Sequence, residues 1–109
     1  MKPHENYYNA LFAGDLAQMA EFYKLLPVTV NGARRYAAPE KIPILIVSSC
    51  RIKSGETIQT KTVLLMTGSA PDPEPGDLVA YSGKKQELIK VELCRSLSGE
   101  VVAIECTAM

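Results

Sequence analysis

The chain has no tryptophan, one histidine and three cysteines in 109 residues, and these shortages exclude much of the usual chemistry of small proteins. His4 stands alone near the N-terminus, so no nucleophile can be matched with a histidine base and a group to orient it. Cys50, Cys94 and Cys106 form no CxxC pair, and with a single histidine they do not make up a zinc ligand set. They are expected to be small buried strand residues in a reducing compartment. The glycines fall about one to a turn, which leaves no phosphate-cradling GxGxxG or Walker loop. An excess of either charge is also missing. Twelve Lys and Arg balance twelve Asp and Glu, whereas a chain that neutralises phosphates on its own carries a basic surplus. No apolar run approaches the ~20 residues of a membrane helix. The opening MKPHENYYNA is polar and unlike a secretory leader, so a soluble product of the cytosol is expected, with no membrane partner. Together these absences predict no enzyme, no metal and no cofactor.

What is present describes one small globular domain: 47% hydrophobic and 22% charged residues, enough for a single core. Residues 1–10, with Tyr7 and Tyr8, show no period and are expected to be a mobile tail, with residues 11–109 as the domain. Phe12, Leu16, Met19, Tyr23 and Leu26 recur at three- and four-residue steps, which predicts an amphipathic helix over residues 11–26, capped near Asp15 and ended by Pro27.

Beyond it the pattern is that of strands. Val28-Thr29-Val30 leads into Asn31-Gly32, the strongest hairpin dipeptide of the chain, with a return strand at Ala33–Tyr36. Residues 42–52 are the longest apolar strand, with apolar residues on both faces in the middle. Residues 57–67 begin polar and end apolar, and residues 101–107 close the chain with Val102, Ile104 and Cys106 on one face.

Residues 71–93, PDPEPGDLVAYSGKKQELIKVEL, organise the second half. Three prolines make a stiff lead-in, Pro75-Gly76 suits a type II turn, and Asp77 can accept from nearby backbone amides. Residues 78–81 then form a strand, a break with Gly83 follows, and Ile89, Val91 and Leu93 alternate with Lys90 and Glu92. The fold class expected is mainly β: a small antiparallel barrel of six to seven strands preceded by one N-terminal helix.

Candidate functional positions are few. Asp72, Glu74 and Asp77 cluster, but the prolines between them favour a solvated acidic loop over a calcium site. Arg34 and Arg35, and Lys84 and Lys85, are surface basic pairs that gain meaning if repeated around a ring, where they would face a DNA channel or a partner. Tyr7, Tyr8, Met19 and Tyr23 are candidates for protein contact, and Asn31, Gly32, Pro75, Gly76, Asp77 and Gly83 for structural turns.

Gly76-Asp77-Leu78-Val79, then Gly83, the alternating residues 89–93 and the closing residues 99–106, with residues 16–26 as a helix, carry a resemblance. The chain resembles the small head–tail connector, or head completion, proteins of long-tailed bacteriophages and prophages. That resemblance implies a structural virion protein. Copies would form a ring between portal and tail around the DNA channel, contacting portal or adaptor proteins, tail proteins and, non-specifically, DNA. They would assemble in the bacterial cytoplasm and end in the virion. The tail, residues 31–41 and residues 67–75 would order on docking. Two other readings stay open: a small OB or SH3-like barrel that binds single-stranded nucleic acid, for which Tyr36 and Tyr81 are the only strand aromatics, and a tail-side terminator.

Overall fold

The computed structural model describes residues 17–109, which form eight strands: β1 (Ala17–Tyr23), β2 (Leu25–Val30), β3 (Ala33–Tyr36), β4 (Glu40–Ser54), β5 (Thr57–Thr67), β6 (Leu78–Tyr81), β7 (Lys84–Arg95) and β8 (Val101–Ala108). Six pair antiparallel in the order β1-β4-β5-β8-β7-β6, and β6 returns to β1, so the sheet closes into a barrel; β2 and β3 form a separate two-stranded ribbon. The protein is mainly β, as the strand periodicities predict.

The helix expected over residues 11–26 is not what residues 17–26 form; residues 11–16, like Tyr7 and Tyr8, lie outside the described residues. Residues 17–23 are β1, and burial alternates: Met19 and Glu21 are exposed while Ala20 and Phe22 are only 2% exposed. The segment satisfies both periods, since Met19 and Tyr23 also stand at a helical step. Tertiary pairing decides between them. Glu21 lies opposite Lys41 of β4 on one side and Ala80 of β6 on the other, so β1 closes two sheet edges at once. Pro27 does not end an element either. It lies inside β2, where the pairing with β3 shifts register between Leu25 and Thr29, an irregular site on a two-stranded ribbon that tolerates the missing N–H.

Inward-facing residues of all six barrel strands build the core. Phe22, Ile44, Leu64, Met66, Val79 and Leu88 are among its largest fully buried side chains, each contributing about 1.5–3 kcal/mol by leaving water. The barrel also holds a polar network: Tyr81 Oη donates to Gln86 Oε1, and Gln86 Nε2 donates to Thr62 Oγ1 at 3.2 Å and to the Thr60 carbonyl at 3.1 Å. It satisfies buried polar atoms at the root of a long arm. Among the described residues, β1 pairs with β4 as far as Leu45, and β8 pairs with β5 from Thr62. Among them, residues 46–61 pair only with each other, as a two-stranded hairpin with a bulge at Val47 and with Val47 and Ile58 56% and 62% exposed. Of the long apolar strand read at residues 42–52, only the first half lies between two partner strands among the described residues.

Two further expectations change. The second strand of the β6–β7 hairpin begins at Lys84, not near Ile89, because Ser82 and Gly83 alone make the turn with positive φ. Its buried residues are Gln86 and Leu88; a bulge between Leu88 and Lys90 leaves Ile89 44% exposed, and Leu93 further along is 50% exposed. Of the cysteines, only Cys106 is buried; Cys94 is partly covered and Cys50 lies exposed on the arm. Cys106 faces the core, and burial first, then Glu105 and Asp77, pushes its thiol pKa up to about 12.

Candidate functional site

The loop before β6 builds one end of the barrel. Asp77 N donates to the Glu74 carbonyl at 3.1 Å, and Gly76 has φ of 101°, so Glu74-Pro75-Gly76-Asp77 is the type II turn the sequence calls for. A Cβ on Gly76 would come within 3.0 Å of Leu25 Cδ2. Asp77 is not part of a solvated acidic loop. It is 1% exposed, and its carboxylate accepts from Leu25 N at 2.8 Å, Glu74 N at 2.8 Å and Lys24 Nζ at 3.0 Å. The Lys24 ammonium also donates to the Asp72 carbonyl at 2.6 Å and lies 3.8 Å from Glu74 Oε1. The cation that this acidic cluster holds is therefore the protein's own lysine. No group of three or more His, Cys, Asp and Glu among the described residues is arranged to hold a metal ion. The Asp77 hub fixes where β1 passes into the β2–β3 ribbon and sets the position of β6 against β1.

That register brings four of the sequence's candidate residues together on one outer wall. Met19, Glu21 and Tyr23 share the outward face of β1 by strand alternation. Lys41 of β4 lies opposite Glu21, and the β6–β7 turn delivers Lys84 and Lys85. Met19, Glu21, Lys41, Lys84 and Lys85 line an open groove of about 560 Å³. Lys85 Nζ sits 4.5 Å from the centre of the Tyr23 ring, a cation–π contact that fixes the ammonium over the wall. Tyr23 Oη donates to Glu21 Oε2 at 2.8 Å, and this bond to a carboxylate raises the phenol pKa. Ser82 Oγ donates to Gln18 Oε1 at 3.0 Å, tying the turn to β1. Met19 is 59% exposed beside these charges.

The first basic pair divides. Arg34 bonds Glu87 at 2.8 Å, two residues along β7 from Lys85 and on the same outward face, and its pKa is raised first by the Tyr36 hydroxyl and then by Glu87. Arg35 follows the other face of the ribbon and is exposed. Asn31 and Gly32 form its turn with φ of 53° and 76°.

The wall presents three ammonium groups and one carboxylate around the Met19 thioether, with the Tyr23 phenol beside them. Such a surface can hold a protein face or a phosphate-bearing strand; it places no nucleophile beside a base. Sequence reasoning did not single out Lys41 or Glu21. The signal was there in Ala17–Tyr23, AQMAEFY, whose two-residue alternation sets Met19, Glu21 and Tyr23 on one side and Ala20 and Phe22 on the other.

Fold and wall together define a six-stranded barrel with a projecting hairpin arm, a two-stranded ribbon and a basic, partly apolar outer face. No family model matches the chain, and no curated protein matches it. Among solved structures the chain is similar to a chain in the virion of a native gene transfer agent particle, with a TM-score of 0.59 and 13% sequence identity over 84% of this chain and 90% of that one. At that identity the likeness establishes a shared fold.

Proposed function

We propose that this chain is a structural virion protein, a head–tail connector whose copies form a ring between portal and tail around the DNA channel, and that it is not an enzyme. The observation that carries this reading is the extent of the likeness: 90% of a virion chain is covered by 84% of this one. A likeness of that extent to a component of a particle supports a structural role. The geometry supports it in a second way. Val47 and Ile58 on the arm and Val28 on the ribbon are 56%, 62% and 61% exposed, and apolar side chains on projecting hairpins suit contacts with neighbouring proteins. In this reading the portal and tail proteins meet the arm and ribbon, the basic side chains that remain exposed face the channel, and the chain passes from the host cytoplasm into the virion.

Deletion of the gene in a host that produces the particle tests the reading. Filled or leaking heads alongside separate, fully formed tails, rescued by the gene in trans, are the expected outcome. Normal tailed particles in its absence would overturn it.

A further inference from the structure

The β1 wall contains an unfinished sheet edge. Tyr81 and Lys84 close the β6–β7 hairpin around the two-residue turn Ser82-Gly83, so Tyr81 and Val79 direct their backbone groups to β7. Ala80 and Leu78 are left to bond Glu21 and Tyr23 of β1. Successive residues of an antiparallel strand turn their N–H and C=O to alternate sides, so the next residues of β1 aimed at this side are Met19 and Ala17. By then β6 has turned away. Met19 and Ala17 have β4 on their other side, and among the described residues no backbone group pairs with them on the β6 side. Among those residues the break is spanned by one exposed bond between side chains, Ser82 Oγ to Gln18 Oε1. An unpaired edge of this kind is a template for another strand.

The groove at this edge, about 560 Å³, is lined by Met19, Glu21, Lys41, Lys84 and Lys85. Met19, 59% exposed, offers an apolar contact beside its own free backbone groups. Three ammonium groups stand against one carboxylate, and that carboxylate already accepts from Tyr23 Oη. We infer that this edge binds an extended acidic peptide of another protein by strand addition. The peptide backbone pairs with Met19 and Ala17, one apolar side chain covers Met19, and carboxylates flanking it meet Lys41, Lys84 and Lys85. Two observations favour a peptide over a phosphate backbone. The free N–H and C=O of Met19 are matched by the alternating donors and acceptors of a strand, and Glu21 stands in the groove where it repels a line of phosphates.

The test is fluorescence anisotropy of the full chain with a labelled peptide, Glu-Thr-Val-Thr-Glu, blocked at both ends, whose two glutamates and valine share one face as a strand. Hydrogen exchange read by NMR follows the Met19 amide. The expected result is saturable binding that weakens with salt and slower exchange at Met19 in the complex. Binding to K84E/K85E is expected to be at least about tenfold weaker, with circular dichroism and thermal melting checking that the variant keeps its fold. The same peptide N-methylated at valine keeps every charge and side chain but loses the N–H set against Met19, and it is expected not to bind. Absence of saturable binding would overturn the site, as would equal binding by the N-methylated peptide or to K84E/K85E. A Met19 amide as protected in the free chain as in the mixture would also overturn it, because the edge would then be covered already. Tighter binding of oligothymidylate than of the peptide would overturn it in favour of a nucleic-acid groove. Each of these results leaves the ring reading intact; that reading falls on normal tailed particles without the gene.

Discussion

Removing the Asp77 carboxylate is expected to be among the most damaging single changes to the described part of the chain, and the cost can be worked from its contacts. Asp77→Ala deprives Leu25 N and Glu74 N of their acceptor, each at 2.8 Å, and leaves Lys24 without its 3.0 Å partner. A buried donor left unpaired costs about 1–3 kcal/mol. Lys24 adds little, because its side chain is 34% exposed and water screens it. The sum is about 2–6 kcal/mol out of the roughly 5–15 kcal/mol that hold a small domain together, or a melting point lower by about 8–24 °C at 4 °C or more per kcal/mol. Asp77→Asn separates geometry from volume. One amide oxygen can satisfy Leu25 N or the Glu74 N and Lys24 pair, but not both, and the amide NH2 then faces a donor. A loss of about 2–3 kcal/mol is therefore expected despite the matched shape. Lys24→Met, costly alone, becomes nearly neutral in the Asp77→Ala background, since the two residues act through one contact. Urea denaturation of the four proteins reads all of this. If Asp77→Ala and Asp77→Asn both unfold within about 0.5 kcal/mol of the parent, an effect typical of plain surface positions, the hub does not organise this end of the barrel.

Other expectations follow from single features. Gly76→Ala costs about 1 kcal/mol or more, since φ is 101° and the new Cβ meets Leu25; Gly68→Ala costs more, because its Cβ would lie 2.2 Å from the Val101 carbonyl oxygen, which is backbone and cannot swing aside. Chemical denaturation of the two variants orders them, and the reverse order would contradict the packing. Phe22→Ala costs about 3–5 kcal/mol while Met19→Lys is tolerated within about 0.5 kcal/mol, because β1 buries the first and exposes the second; equal losses in urea would return the segment to a helical stripe. The Cys106 thiol, raised from 9.0 to about 12, gives stability that is complete below pH 9 and is lost as pH rises toward 12, by up to about 1.4 kcal/mol per unit, because only the unfolded chain releases that proton. Melting curves against pH for the parent and Cys106→Ala measure it: the difference between the two should change across that window, and a constant difference would refute the buried thiol.

Most of the β architecture was legible because its signals are local. Asn31-Gly32 forces its turn, Pro75-Gly76 forces another, and the polar-to-apolar drift of residues 57–67 marks a strand that runs from an exposed arm into the core. Where reading failed, a non-local contact decided. Residues 17–23 fit two periods equally, and only the closure of β4 onto β6 selects the strand. Nothing along the chain shows that Lys24 will fold back on Asp77, fifty-three positions away, so the acidic cluster reads as solvated. The same holds for the site. Met19, Tyr23, Lys84 and Lys85 could be named separately, but their meeting on one wall depends on the β1–β6 register.

The measurement that tests the central claim most directly is a cryo-EM reconstruction of the particle made in a host carrying this gene, with the chain tagged for placement. A ring of identical barrels around the channel between portal and tail is the expected density. Particles that carry the tag elsewhere, or not at all, would contradict the account.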